Sequence, residues 1–279
     1  MGDTFKRMAW DLAFAGRAEK TRRLYLADAR AFASFTKRKP SKWCQSDVRR
    51  WVEHLIRRGT QPSRLRQHLC ALVFLFRKTL GRPGAVSFFS WPRNQPRIPT
   101  TLNVQEVSRL LQAVPDQNYR LLFKTMFASG LRIREACRLK PEDLDAPRGL
   151  IRVLGKGNRK RQAALSPGLA AALGGYRPHE CQGSPWLFMG QKGNPLDPGQ
   201  ARRVFREAAR AAGITRRVTP HVLRHTYATL LLEQGTDLSV IQALLGHSTI
   251  RSTQVYLHVS THLIARTPDP LELLPGDSK

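Results

Sequence analysis

The chain has 279 residues, 41% of them hydrophobic, which is enough for a real core in one large domain or two ordinary ones. Its 47 Lys and Arg against 20 Asp and Glu leave a formal net charge of +27, which implies a polyanionic partner, nucleic acid ahead of an acidic membrane surface. No apolar run approaches the ~20 residues of a membrane span, no N-terminal stretch reads as a signal peptide, and four cysteines without a CxxC pair argue against zinc and a disulfide framework.

The first hundred residues read as helices. Thr21 precedes RRLYLADARAFASF, a capped helix. Ser46 opens DVRRWVEHLIRRG, where Val48, Trp51, Val52, Leu55 and Ile56 recur at helical spacing as one apolar face. The opposite face carries Arg49, Arg50, Arg57 and Arg58. A third helix runs through SRLRQHLCALVFLFRKTLG and stops at Gly81 and Pro83. The segment WPRNQPRIPT, with three prolines in ten residues, is the expected domain boundary. The division expected is a helical domain over 1–92, a linker over 93–100 and a second domain over 101–279.

Both sides of residue 100 are basic: 22 basic against 6 acidic residues before it, and 25 against 14 after it. Solvated helix faces are the bland reading of such charge. Acidic residues are too few to balance these faces, so both halves are expected to touch the same polyanion.

The second half opens with NVQEVSRLLQAV, where Asn103 and Glu106 fit a capping-box variant. NYRLLFKTMFASG is an apolar helix ending at Gly130, and LRIREACRLKPEDL follows. LIRVLGKGNRKRQAAL reads as a hairpin of two short strands around a GKGN turn, with Lys156 in the turn and Arg159, Lys160 and Arg161 as a basic run beside it. From residue 199 onward the pattern is helical again. The fold class is mainly α with a small β-hairpin.

The stretch PHVLRHTYATLLLEQG reads as a buried helix, with Thr219 as its cap and Pro220 in its first position. Its first turns carry His221, Arg224 and His225, three potential cations at the end of a helix where the dipole already favours an anion. That crowding makes electrostatic sense if a phosphate visits; the alternative is a His and an Arg capping nearby loops. TDLSVIQALLGH is a short helix ending at Gly246, with His247 just outside it. STIRSTQVYLHV starts a further helix that presents Tyr256.

Taken together, GLRIREA (130–136), LGKGNRKR (154–161), PHVLRHTYAT (220–229), LLGHS (244–248) and TQVYLHV (253–259) resemble the tyrosine recombinase family of phage-type integrases and Xer-type resolvases. The resemblance is strong over residues of about 100 to 260, and the basic N-terminal hundred is similar to the family's core-binding, SAM-like domain. It implies a two-domain clamp on DNA. It also implies Tyr256 as nucleophile, Arg132 and Arg224 as the clamp on the scissile phosphate, and His221 and His247 completing that site. Lys156 would be the general acid, and Glu135 would orient the site from behind. No cofactor or metal is implied. The partners implied are double-stranded DNA recombination sites, bound by a homotetramer in the synaptic complex, in the cytoplasm and nucleoid of a prokaryotic cell.

Elementary chemistry agrees. A phosphodiester repels nucleophiles, so catalysis is mainly charge stabilisation and positioning. The basic motifs bring Arg, His and Lys but no carboxylate cluster of the kind a metal-dependent nuclease uses. Without the motif context Tyr256 stands no higher than Tyr227. His225 and His258 read as structural histidines and Cys137 as core. A mobile-element integrase is the expected role. An Xer-like dimer resolvase, a type IB topoisomerase and a non-catalytic DNA-binding protein are the alternatives.

Overall fold

The computed structural model describes residues 2–89, 91, 99–155, 160–176, 184–246 and 253. The chain divides into two compact units, Met1–Pro96 and Arg97–Lys279. The division falls within the Pro-rich stretch; residues 92–98 of that stretch lie outside the described residues.

The first unit contains α1 (Gly2–Phe14), α2 (Glu19–Thr36), α3 (Gln45–Arg57) and α4 (Pro62–Phe74), the last continuing through a π-helical turn at Leu75–Thr79. Its core is aromatic. Phe32 of α2 meets Trp43, Trp51 and Phe76 edge-on at centroid distances of 5.2, 6.4 and 6.0 Å, a favourable arrangement of ring quadrupoles. Two buried carboxylates tie the helices together. Asp47 accepts from Arg38, from Arg50 and from the backbone N–H of Cys44. Asp28 accepts from Arg64 and Gln67.

The helix expected to run from Asp47 behind Ser46 starts two residues earlier, at Gln45, with Cys44 as its cap. Asp47 reaches back to the Cys44 N–H, which completes a capping box around cysteine and draws the start toward it. The expected α3 face also narrows. Val48, Trp51 and Leu55 are buried, but Ile56 is 57% exposed, because one residue past Leu55 is a rotation of about 100° away from the core. Helix α2 begins at Glu19 after Ala18 rather than at a Thr21 cap.

The second unit is helical around a small sheet. Helices α5 (Val104–Gln112), α6 (Gln117–Ser129) and α7 (Ile133–Ala136) precede strands β1 (Leu144–Asp145), β2 (Leu150–Leu154) and β3 (Lys160–Ala164). Helices α8 (Pro167–Gly174), α9 (Pro198–Ala211), α10 (His221–Glu233) and α11 (Leu238–Leu245) follow. The Asn103–Glu106 box forms as expected, with backbone-to-side-chain distances of 2.8 and 2.9 Å. The hairpin strands pair antiparallel, Leu150 opposite Ala164 and Leu154 opposite Lys160. The short strand β1 adds a third member, pairing with β2. Ile151 and Val153 face a core that includes Leu122, Phe123, Met126, Ile133, Phe205 and Leu223. Helix α10 follows Pro220, where no side-chain cap forms; the Val222 N–H donates to the Thr219 carbonyl at 2.8 Å instead. Among the described residues no helix is long and apolar enough to cross a membrane.

Candidate active site

The site is built where three helix ends meet. Helix α6 stops at Gly130, whose φ of +62° is left-handed. A Cβ there would lie 2.6 Å from the Tyr227 ring. Glycine is therefore required twice over, by conformation and by the close approach of α10. Helix α11 stops at Gly246, also left-handed with φ +61°.

Arg224, 4% exposed, lies between these ends. Its guanidinium donates to the Gly130 carbonyl and to the Leu245 carbonyl, each at 2.7 Å. The C-terminal carbonyls of two helices carry partial negative charge, which offsets the cost of burying the cation. A planar two-pronged donor suits this bridge in a way an ammonium does not.

Leu131 is buried just past Gly130, and Arg132 then caps α7. Glu135, one turn on, accepts from Arg132 twice: from its backbone N–H at 2.9 Å and from its guanidinium at 2.7 Å. The Glu135 side chain is 6% exposed and that of Arg132 is 35% exposed. One edge of the Arg132 fork is thus held from the protein side while the side chain remains partly open. Burial alone would raise the Glu135 pKa, but Arg161 and Arg132 outweigh it and hold the carboxyl below its ordinary value.

Of the three potential cations in the first turns of α10, both histidines have lowered pKa values. His221 is an exposed residue as a whole, yet the protein around its imidazole lowers its pKa by desolvation, followed by repulsion from Arg224, Arg202 and Arg132. His225, half-buried, is pushed down to about 4 by desolvation and by His221 and Arg224. Both imidazoles are thus driven toward the neutral form. Arg202, on α9, joins the site through its field on His221 and donates to the Pro198 carbonyl at 3.1 Å. Nothing in the sequence set it apart from its neighbour Arg203.

Tyr227 belongs to the core. It packs against Ala228, Leu232, Ile241 and Leu245, and burial pushes its phenol pKa up. Cys137 is likewise core, its thiol raised by burial to about 12. Lys156, Arg159, His247, Tyr256 and His258 lie outside the described residues; Thr253, which is described, is fully buried. Of the expected site residues, the structure brings Arg132, Glu135, His221 and Arg224 together.

The expected nucleic-acid contacts divide. Arg49, Arg50, Arg57 and Arg58 are exposed on α3, with Arg49 stacked over Phe88 at 4.4 Å and Arg50 paired to Asp47 at 2.6 Å. Lys160 is exposed at the start of β3. Arg161, expected on the same surface, turns inward instead: its side chain is 10% exposed and paired with Glu135 at 2.7 Å. The register explains it, because Arg161 lies opposite Val153 on the buried face of the hairpin. Among the described residues no group of His, Cys, Asp or Glu is arranged to hold a metal ion.

Comparison with known proteins bears on the same residues. Residues 100–262 match the phage integrase family, and residues 5–85 match the phage integrase N-terminal SAM-like domain. The chain is 34% identical over 278 residues to y4qK of Sinorhizobium fredii, named as an integrase/recombinase, covering 97% of this chain and 89% of that one. It is 33% identical over 269 residues to tyrosine recombinase XerC of a Mycobacterium species, covering 88% and 90% respectively. In fold it is similar to a lambda integrase dimer bound to a COC′ core site, with a TM-score of 0.75 at 20% identity over 96% of this chain and 98% of that one.

Proposed function

The chain belongs to the phage integrase family of tyrosine recombinases, which cleave and rejoin DNA by site-specific recombination, and from that premise we propose that Tyr256 is its nucleophile and that the cluster around Glu135 is its phosphate clamp. The observation that carries this reading is the convergence of Arg132, Glu135, His221 and Arg224 from helices far apart in sequence.

The step is a transesterification. The Tyr256 oxygen attacks phosphorus, a new phosphotyrosyl bond forms at the 3′ side, and the bond to the 5′ oxygen breaks. Arg132 and Arg224 neutralise the non-bridging oxygens, as planar guanidinium forks do well. Lys156 gives its proton to the leaving 5′ oxygen. The phenol proton goes to a neutral imidazole, for which His221 is suited by its lowered pKa. His247 completes the site by its motif. The cations of the chain supply the electrostatic stabilisation, with no cofactor or metal. Reversal with a 5′ hydroxyl from another duplex rejoins the strands without an outside energy source, because the phosphotyrosyl bond conserves the bond energy.

Both units bind a double-stranded recombination site, with Arg49, Arg50, Arg57, Arg58, Arg159 and Lys160 on backbone phosphates. Four copies act in a synaptic complex, in the cytoplasm and nucleoid of a prokaryotic cell. The biological role is integration of a mobile element, a reading supported by the net charge of +27 and the Pro-rich segment after Tyr256. The similarity to XerC keeps dimer resolution as a second reading. Recombination assays on DNA flanking the gene distinguish them: an integrase joins two unlike sites, a dimer resolvase two copies of one chromosomal site.

A further inference from the structure

Of the described cations in the basic run 159–161, Arg161 is turned into the protein and Lys160 beside it is exposed. It occupies the row of the hairpin shared by Val153 and Ala163, where an apolar side chain would be the ordinary choice. Its guanidinium donates to Glu135 Oε2 at 2.7 Å and to the Leu244 carbonyl near the end of α11. Its aliphatic stem runs so close beneath Gly246 that a Cβ there would lie 2.4 Å from Arg161 Cδ.

Three segments that carry or adjoin site residues thus converge on one side chain. Strand β3 begins four positions after Lys156. Helix α7 carries Glu135 and is capped by Arg132. The end of α11 runs through Gly246 directly into His247 in sequence. We infer that Arg161 is a positioning residue for strand cleavage: it holds the Glu135 carboxylate in the orientation that aims Arg132, and it fixes the end of α11 against the hairpin. This inference rests on the recombinase reading above. Arg161 touches no DNA in this role. The two acceptors lie on different elements, so the divergent donors of a planar fork are needed and a lysine satisfies one of them at a time. The charged and titratable groups facing Glu135 are Arg132 on its own helix, Arg161 from β3 and His221 from α10.

The test compares wild type with Arg161→Met, Arg161→Lys, Glu135→Gln and the Arg161→Met/Glu135→Gln pair. Two quantities are read on a nicked duplex carrying the recombination site recovered from DNA flanking the gene: binding affinity, and the single-turnover rate of covalent adduct formation. A third is urea unfolding at about pH 7 and about pH 4, either side of the ordinary carboxylate value. Arg161→Met is expected to slow adduct formation on the order of 100-fold, the scale of a small misplacement of reacting groups, with affinity nearly unchanged. Arg161→Lys is expected to recover part of the rate. In the Glu135→Gln background Arg161→Met should cost little more, because the two act through one contact. The stability gap between wild type and Arg161→Met should be widest near pH 7 and narrow on acidification, since a protonated Glu135 no longer needs its cation.

Wild-type cleavage by Arg161→Met, a loss confined to affinity, or a stability gap that ignores pH would each overturn the inference. Absence of any adduct with wild type would instead count against the recombinase reading and remove the cleavage role with it. The unfolding gap would then decide the coupling of Arg161 to Glu135 by itself.

Discussion

Arg224 donates a 2.7 Å hydrogen bond to the carbonyl of Gly130, 94 residues away in sequence. The same guanidinium reaches Leu245 at the end of α11, so one buried side chain joins the ends of two helices. Replacing it with lysine keeps the charge but removes the second prong. Loss of a hydrogen bond from a charged group costs ~1.5–3 kcal/mol. Arg224→Lys is therefore expected to lower the unfolding free energy by about that amount, measured in urea at neutral pH, and to depress adduct formation more than DNA affinity.

Gly130 makes that approach of α6 to α10 possible. Gly130→Ala would combine a φ of +62° with a Cβ 2.6 Å from the Tyr227 ring. Left-handed strain in a non-glycine residue costs roughly 1–2 kcal/mol, and overpacking roughly 1–3 kcal/mol more. Adding Tyr227→Leu should relieve the packing part and leave the conformational part, which a comparison of unfolding midpoints would separate.

Glu135 predicts an acid-sensitive site. Its pKa is held below the ordinary carboxylate value of 4.5, so it contributes stability that is fully present above that value and is lost as pH falls through its own pKa. Glu135→Gln should destabilise the protein at neutral pH by about 3–5 kcal/mol, the cost of breaking a buried pair. The deficit should shrink when unfolding is measured on the acid side.

His225 predicts a separate window. Its folded value of about 4 lies below the ordinary 6.5, so between these values the unfolded chain binds the proton better. Stability should fall as pH drops from about 6.5 toward about 4 and level off outside that range. His225→Gln should flatten this slope in a series of urea titrations while leaving the acid response of Glu135 in place.

Arg57 and Arg58 are exposed on the basic side of α3. If each neutralises a backbone phosphate, Arg57→Gln and Arg58→Gln should each reduce the slope of log affinity against log salt by about 1. The loss should be the same for cognate and unrelated duplexes, because phosphates carry no sequence information.

Much of this architecture could be read from the sequence where local chemistry is unambiguous. Gly130 and Gly246 announced the ends of α6 and α11, and Asn103 with Glu106 announced the start of α5, because few residues satisfy left-handed turns or reciprocal caps. The start of α3 was misjudged because a cysteine rarely serves as the cap. Strand β1, with two residues, is too short to leave a periodic signal. Arg161 was misread for a different reason. A basic run looks like a surface, but strand alternation puts Arg161 on the same face as Ala163, so a register argument would have turned it inward. The lowered pKa values of His221 and His225 come first from desolvation in the folded chain, and at His221 also from Arg202 and Arg132 arriving from other segments, which no local pattern encodes.

The central claim is that Tyr256 attacks a phosphodiester held by this cluster. It is tested most directly by incubating the protein in EDTA with a nicked duplex that carries the recombination site, then resolving the products under denaturing conditions. The account predicts a covalent protein–DNA adduct with wild type and none with Tyr256→Phe, at similar DNA affinity. Tight, specific binding without an adduct, or an adduct that survives Tyr256→Phe, would contradict it.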